Sequence, residues 1–191
     1  MKKNDLQIIK FSTVLEWESW LKEHHTQTDG FWMKLAKKNK GVTSVSYLEG
    51  VLTALCYGWI DGQANTFDEK YYLVKFTPRR AKSIWSKINV DRVTQLIKDG
   101  KMQPAGQAQI DAAKADGRWE QAYDSPKTMV VPEDFLQELA KDAKALAFFE
   151  TLNKSNTYAI AFRLQTAKKP ETRERRKQVL LEMLKKGEKL Y

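Results

Sequence analysis

Residues 59–78 read WIDGQANTFDEKYYLVKFTP. A strand-like run, a polar turn near Asp68 and Glu69, and a second run, YYLVKFT, are closed by Pro78, whose ring cannot continue a hydrogen-bonded ladder. This is the pattern of a β-hairpin. Upstream, residues 30–38, GFWMKLAKK, alternate Phe31, Met33 and Leu35 with Trp32, Lys34 and Ala36, the two-residue period of a strand with one buried face. Two helices frame these strands. Thr13 and Glu16 form a capping-box pattern ahead of Val14, Trp17, Trp20 and Leu21, in a helix expected to end near His25. Ser46 and Glu49 repeat it ahead of Leu48, Val51, Leu52, Leu55 and Cys56, and Gly58 suits a left-handed stop.

Beyond residue 81 the signals are helical. Asn89 is expected to cap VDRVTQLIKDG, with Val90, Val93, Leu96 and Ile97 facing the core and Gly100 as the stop. Pro104 and Gly117 frame an alanine-rich helix, and Pro132 opens one helix over PEDFLQELAKDAKALAFFETL. Ser155 is expected to cap a short helix through Leu164, and Pro170 and Gly187 bracket the last. Early strands and late helices predict an α+β fold: a small antiparallel sheet with packed helices over residues 1–125, followed by a helical C-terminal region over 126–191, joined at DSPKTMVVP.

The 191 residues are 42% hydrophobic, 11% aromatic and 30% charged, which excludes collagen-like, disordered and membrane-spanning classes. The single cysteine, Cys56, rules out an internal disulfide or a cysteine zinc site. The start, MKKNDLQIIKFSTVLEW, has too short and interrupted an apolar stretch for a signal peptide, and points to the cytoplasm. A net charge of +9 invites an anionic partner. Residues 168–191 supply nine basic and four acidic side chains of that balance.

The strings KLAKK, SVSYLEGVLTALCYGWIDG, KFTPRRAKSIWSKIN, DGKMQPAGQAQIDAAKADGRWEQAY and AKKPETRERRKQVL, in this order over almost the whole chain, resemble the YdeI/OmpD-associated family, also labelled bacteriocin-protection proteins. The resemblance implies a small bacterial cytoplasmic protein, a C-terminal segment similar to the OmpD-associated region, and a link to antimicrobial-peptide or bacteriocin stress. It brings no reaction and no catalytic residues with it.

The residues themselves single out the hairpin and its flanks. Arg79, Arg80 and Lys37 are candidates to grip an anionic group, since guanidinium offers a planar fork for carboxylate or phosphate. Trp59, Trp85 and Tyr47 are candidate flanking rings. Asp61, Ser83, Ser86, Asn89 and Arg118 complete the expected ligand site. The competing structural reading pairs Asp61 with Arg79 and lets Ser83 or Ser86 cap backbone amides.

Cys56 reads as a core thiol near a helix C-terminus, whose dipole disfavours a thiolate, and His24 and His25 as solvated helix-end residues. Zinc-protease, serine-hydrolase, P-loop and dinucleotide signatures are absent, so no metal and no cofactor is expected. The leading reading is a non-catalytic protein that recognises an anionic small molecule or a protein partner. One alternative is an enzyme using the Asp61, Arg79 and Ser83 region, or Glu49 and Asp61 as acid and base beside Tyr47. The other is weak nucleic-acid binding through the basic C-terminal helix. ETRERR argues against that last reading, because its glutamates favour local pairing over a phosphate-binding stripe.

Overall fold

The structure, a computed structural model, describes residues 6–26 and 29–191. Met1 to Asp5, including the lysine pair of the N-terminal stretch, lie outside the described residues. The described chain separates into two compact units. One holds the residues up to Trp85 together with Asn89–Gln121; the other holds Ser86–Ile88 and Ala122–Tyr191.

The first unit is α+β. Its four-stranded sheet has the order β1-β2-β4-β3, with β1 at Ile8–Ile9, β2 at Phe31–Ala36, β3 at Trp59–Thr66 and β4 at Tyr71–Pro78. The expected hairpin is the antiparallel β3/β4 pair, and β2 lies antiparallel to β4 with Phe31 opposite Phe76 and Met33 opposite Val74. The sheet is mixed rather than wholly antiparallel, because the two-residue β1 runs parallel to β2. Phe31, Met33, Leu35, Val74 and Phe76 are buried, as the alternation requires.

Helix α1 (Val14–His24) and α2 (Tyr47–Cys56) contribute Trp17, Leu21, Val51, Ala54 and Leu55 to this core. Ser46 and Glu49 make the full capping box. At α1 only half of it forms: Thr13 Oγ1 accepts from Glu16 N–H, while Glu16 Oε2 accepts from Ser12 N–H. His24 and His25 are half-buried rather than solvated, their Nδ1 atoms against the carbonyls of Trp20 and Leu21.

Helix α3 (Lys87–Lys98) starts two residues before the expected cap. Asn89 is therefore inside its first turn, its Oδ1 accepting from Arg92 Nη1 at 2.9 Å, and Ile97 is 40% exposed instead of facing the core. Helix α4 (Pro104–Ala115) approaches α2 through Gly106; a β-carbon there would collide with the Cys56 carbonyl oxygen, so only glycine permits the contact.

The second unit is helical: α5 (Glu133–Leu139), α6 (Ala143–Glu150), α7 (Lys154–Gln165) and α8 (Pro170–Lys185). The single helix expected after Pro132 is two helices, because the Asp142 carboxylate accepts from Lys144 and Ala145 N–H and starts α6 afresh. Asn153, not Ser155, caps α7. Phe135, Leu139, Ala145, Ile160, Leu164, Leu180, Leu181 and Leu184 form this unit's core. The buried Asn156 ties the last residues to α7, its Oδ1 accepting from Leu190 N–H at 3.0 Å and Tyr191 N–H at 3.1 Å.

Candidate functional site

The residues expected to form one site at the hairpin are distributed over separate local structures. Trp59 is fully buried in an aromatic core with Trp17, Trp20 and Phe31, and its Nε1 donates to the His25 carbonyl at 2.9 Å. An indole so enclosed contributes packing, and Trp59 flanks no exposed site. Lys37 sits beside the turn end of the hairpin, its backbone N–H donating to Lys70 O and its Nζ to Asp68 O. Arg79 follows the opposite end of β4, roughly 25 Å away at the rise of an extended strand. Lys37 and Arg79 therefore cannot grip one small anion.

Arg79 and Arg118 do come together with Ser83 and Trp85. Both arginines are buried. The Arg79 guanidinium lies 3.6 Å from the centre of the Trp85 ring, with Nη1 3.4 Å from the Ile84 carbonyl. Trp85 packs on Trp119 at 5.3 Å, and Lys114 Nζ stands 5.2 Å from the centre of the Trp119 ring. Arg118 Nε forms a charge-assisted pair with the Asp116 carboxylate at 2.7 Å, and its Nη1 donates to Ser83 O at 2.8 Å. Ser83 Oγ accepts from Arg80 N–H, while the Arg80 side chain is exposed. These guanidiniums brace the turn between β4 and α3: each touches backbone carbonyls of that segment.

Asp61 meets Tyr47. Its Oδ2 accepts from the Tyr47 hydroxyl at 2.6 Å. Burial and that bond push the Tyr47 hydroxyl well above the ordinary tyrosine range, so it serves as a donor and not as a base. Glu49 is held below the usual carboxylate range by its bonds from Ser46. Ser86 belongs to the helical unit, where it bridges to Tyr123. Burial pushes the Cys56 thiol up to about 11, which keeps it protonated at neutral pH and unsuited to nucleophilic attack. Among the described residues no group of His, Cys, Asp and Glu could hold a metal ion. No helix of the described residues is long and apolar enough to cross a membrane.

The helical unit contains a groove that the sequence reading passed over. It has a volume of about 1220 Å³. Its floor is apolar and aromatic: Phe162 packs against Tyr123 at 5.0 Å and Tyr158 at 5.8 Å, with Val130 beside them 78% exposed. Lys127, Lys154 and Arg163 line it together with the C-terminal Tyr191, and among the described residues no Asp or Glu side chain does. Among the described residues, none of these three side chains has an ion pair or hydrogen bond. The cations of α8 differ. Arg173 makes a two-pronged contact with Asp134 at 2.7 Å, Lys177 lies 3.4 Å from Glu174, and Arg176 donates to the Arg163 carbonyl at 2.7 Å. The signal for the groove was the apolar MVV at 129–131 inside the expected joint, followed by Tyr158 and Phe162 one helical turn apart.

Residues 9–109 match the family described as Domain of unknown function (DUF8412), more than half of the chain. The chain belongs to this family. Residues 128–187 match the family described as Bacteriocin-protection, YdeI or OmpD-Associated, which bears out the resemblance read from the sequence. That match is confined to the helical unit, rather than extending over almost the whole chain, and it takes in most of the groove lining. No curated protein and no solved structure matches the chain.

Proposed function

We propose that this DUF8412 protein is a non-catalytic binding protein whose helical unit docks an acidic, apolar-faced segment of a partner protein. The observation that carries this reading is the groove itself, where an apolar aromatic floor meets three cations whose side chains make no ion pair among the described residues. Exposed apolar area of this kind is a cost for a monomer unless a partner covers it. Charges left unpaired at its rim would select the sign of that partner and speed its encounter. The printed family description, OmpD-Associated, fits an associating role for residues 128–187.

The hairpin region offers weaker support for capture of a free anion, since the Arg79 and Arg118 guanidiniums are buried against rings and carbonyls. An enzyme built on Asp61, Arg79 and Ser83 is disfavoured by the separate partners of Asp61 and Ser83. The pairing of Arg173, Arg176 and Lys177 within the unit likewise leaves little of α8 for a nucleic-acid backbone.

Two labelled helical peptides with the same apolar face, one carrying glutamates and one lysines on the opposite face, test the reading by fluorescence anisotropy. The acidic peptide is expected to bind, weakening with salt and at least about tenfold in a K127E/K154E/R163E variant. Equal binding of both peptides, or binding of neither, would overturn it. Binding confined to anionic vesicles would overturn it too, by reassigning the groove to a membrane surface.

A further inference from the structure

The α+β unit has a second concave site, independent of the groove. A cavity of about 480 Å³ opens among α1, α2, the end of α3 and the turn leading to α4. Its size falls within the roughly 300–1,000 Å³ of small-molecule sites. Val14, Leu52 and Leu96 give it an apolar wall, and the protonated thiol of Cys56 adds a neutral surface.

Two carboxylates and one ammonium line it. Glu18 faces it from α1, with Oε1 accepting from the Tyr57 hydroxyl at 3.3 Å and lying 3.3 Å from Lys22 Nζ. Both contacts use one oxygen, so Oε2 retains its capacity to accept. Glu49 faces the cavity from α2, and its capping bond likewise occupies only Oε2. The cavity's cation, Lys101, is an exposed residue at the turn, and its ammonium makes no hydrogen bond or ion pair among the described residues. A long, unanchored ammonium can swing into water, whereas the Glu18 carboxylate is held in place by Tyr57.

We propose that this cavity binds a small organic amine with an apolar arm, its ammonium directed to the free oxygens of Glu18 and Glu49 and its arm against Leu52, Leu96 and the Cys56 thiol. The two carboxylates supply the charge-assisted hydrogen bonds that orient the amine, and the apolar wall supplies most of the burial.

Three matched probes test this on the full chain: phenethylamine, 2-phenylethanol and 3-phenylpropionate. Calorimetry gives the affinity of each probe. Phenethylamine is expected to bind about tenfold more tightly than the alcohol, with the carboxylate weakest. In E18Q, which preserves an acceptor for Tyr57, and separately in E49Q, which preserves the cap, the preference for the amine should fall toward that of the alcohol. Binding of none of the three probes, a carboxylate preference, or an amine preference unchanged in both variants would overturn the assignment. Each of those results is read without reference to the groove.

Discussion

In the α+β unit, Arg79 and Arg118 are each 6% exposed and spend their guanidiniums on Trp85, on backbone carbonyls and on Asp116. In the helical unit, Lys127, Lys154 and Arg163 line an apolar groove without one ion pair among the described residues. The first arrangement uses charge to hold a turn, and the second leaves charge available. A net charge of +9 does not distinguish them. What does is the accounting of partners: a cation held against a carbonyl and a ring, or a carbonyl and a carboxylate, has little interaction left to offer a ligand. The aromatic residues divide the same way, with Trp17 and Trp59 sealed in a core and their Nε1 groups bonded to carbonyls, and Tyr158 and Phe162 half-exposed along the groove.

The contrast can be broken most forcefully at Trp59. Trp59→Ala should cost about 3–5 kcal/mol in urea unfolding by opening a cavity among Trp17, Trp20 and Phe31. A loss below about 1 kcal/mol would show the indole to be dispensable to the core.

Next in size is Arg79→Ala. It should lower stability by about 2–3 kcal/mol through loss of the Trp85 stack and the carbonyl contact, while leaving acidic-peptide binding to the groove unchanged. Weakened peptide binding at full stability would reverse the roles given to the two sets of cations. Asn153→Ala, which removes the cap of α7, is expected to cost about 1 kcal/mol in thermal unfolding.

The smallest effect belongs to the paired cations of α8. Hydrogen bonds from Arg173 hold the Asp134 carboxyl below the usual carboxylate range. Its contribution to stability is therefore present above the unfolded value near pH 4 and fades as acid protonates it in the folded state. Arg173→Ala should cost under about 1 kcal/mol at neutral pH, because the pair is largely solvated, and nothing further in strong acid. A persistent deficit at low pH would mean that Arg173 acts through packing instead.

Local chemistry made much of the fold legible. The β3/β4 hairpin, the buried alternation of β2 and the Ser46/Glu49 box follow from two-residue periodicity and from hydrogen bonds spanning three residues. Competing local signals explain the errors. Asp142 interrupted an apolar helical period with a cap of its own, and Asn153 stood two residues ahead of an equally plausible Ser155. The site was less legible. Lys37 and Arg79 suit an anion by residue type, but the length of β4 separates them, and Trp59 was assigned to recognition although the sheet turns it inward. The groove was overlooked because its residues come from the supposed joint and from α7, each of which looks ordinary alone.

The sequence by itself determined the α+β class, the succession of early strands and late helices, the core thiol and the kinship of residues 128–187, because periodicity, caps and composition act over a few residues. Only the tertiary structure decided which cations are consumed and which remain. Pairing is a matter of distance in space, and Arg118 finds the Ser83 carbonyl 35 residues away, while Lys127, Lys154 and Arg163 share one hollow with no side-chain carboxylate lining it among the described residues.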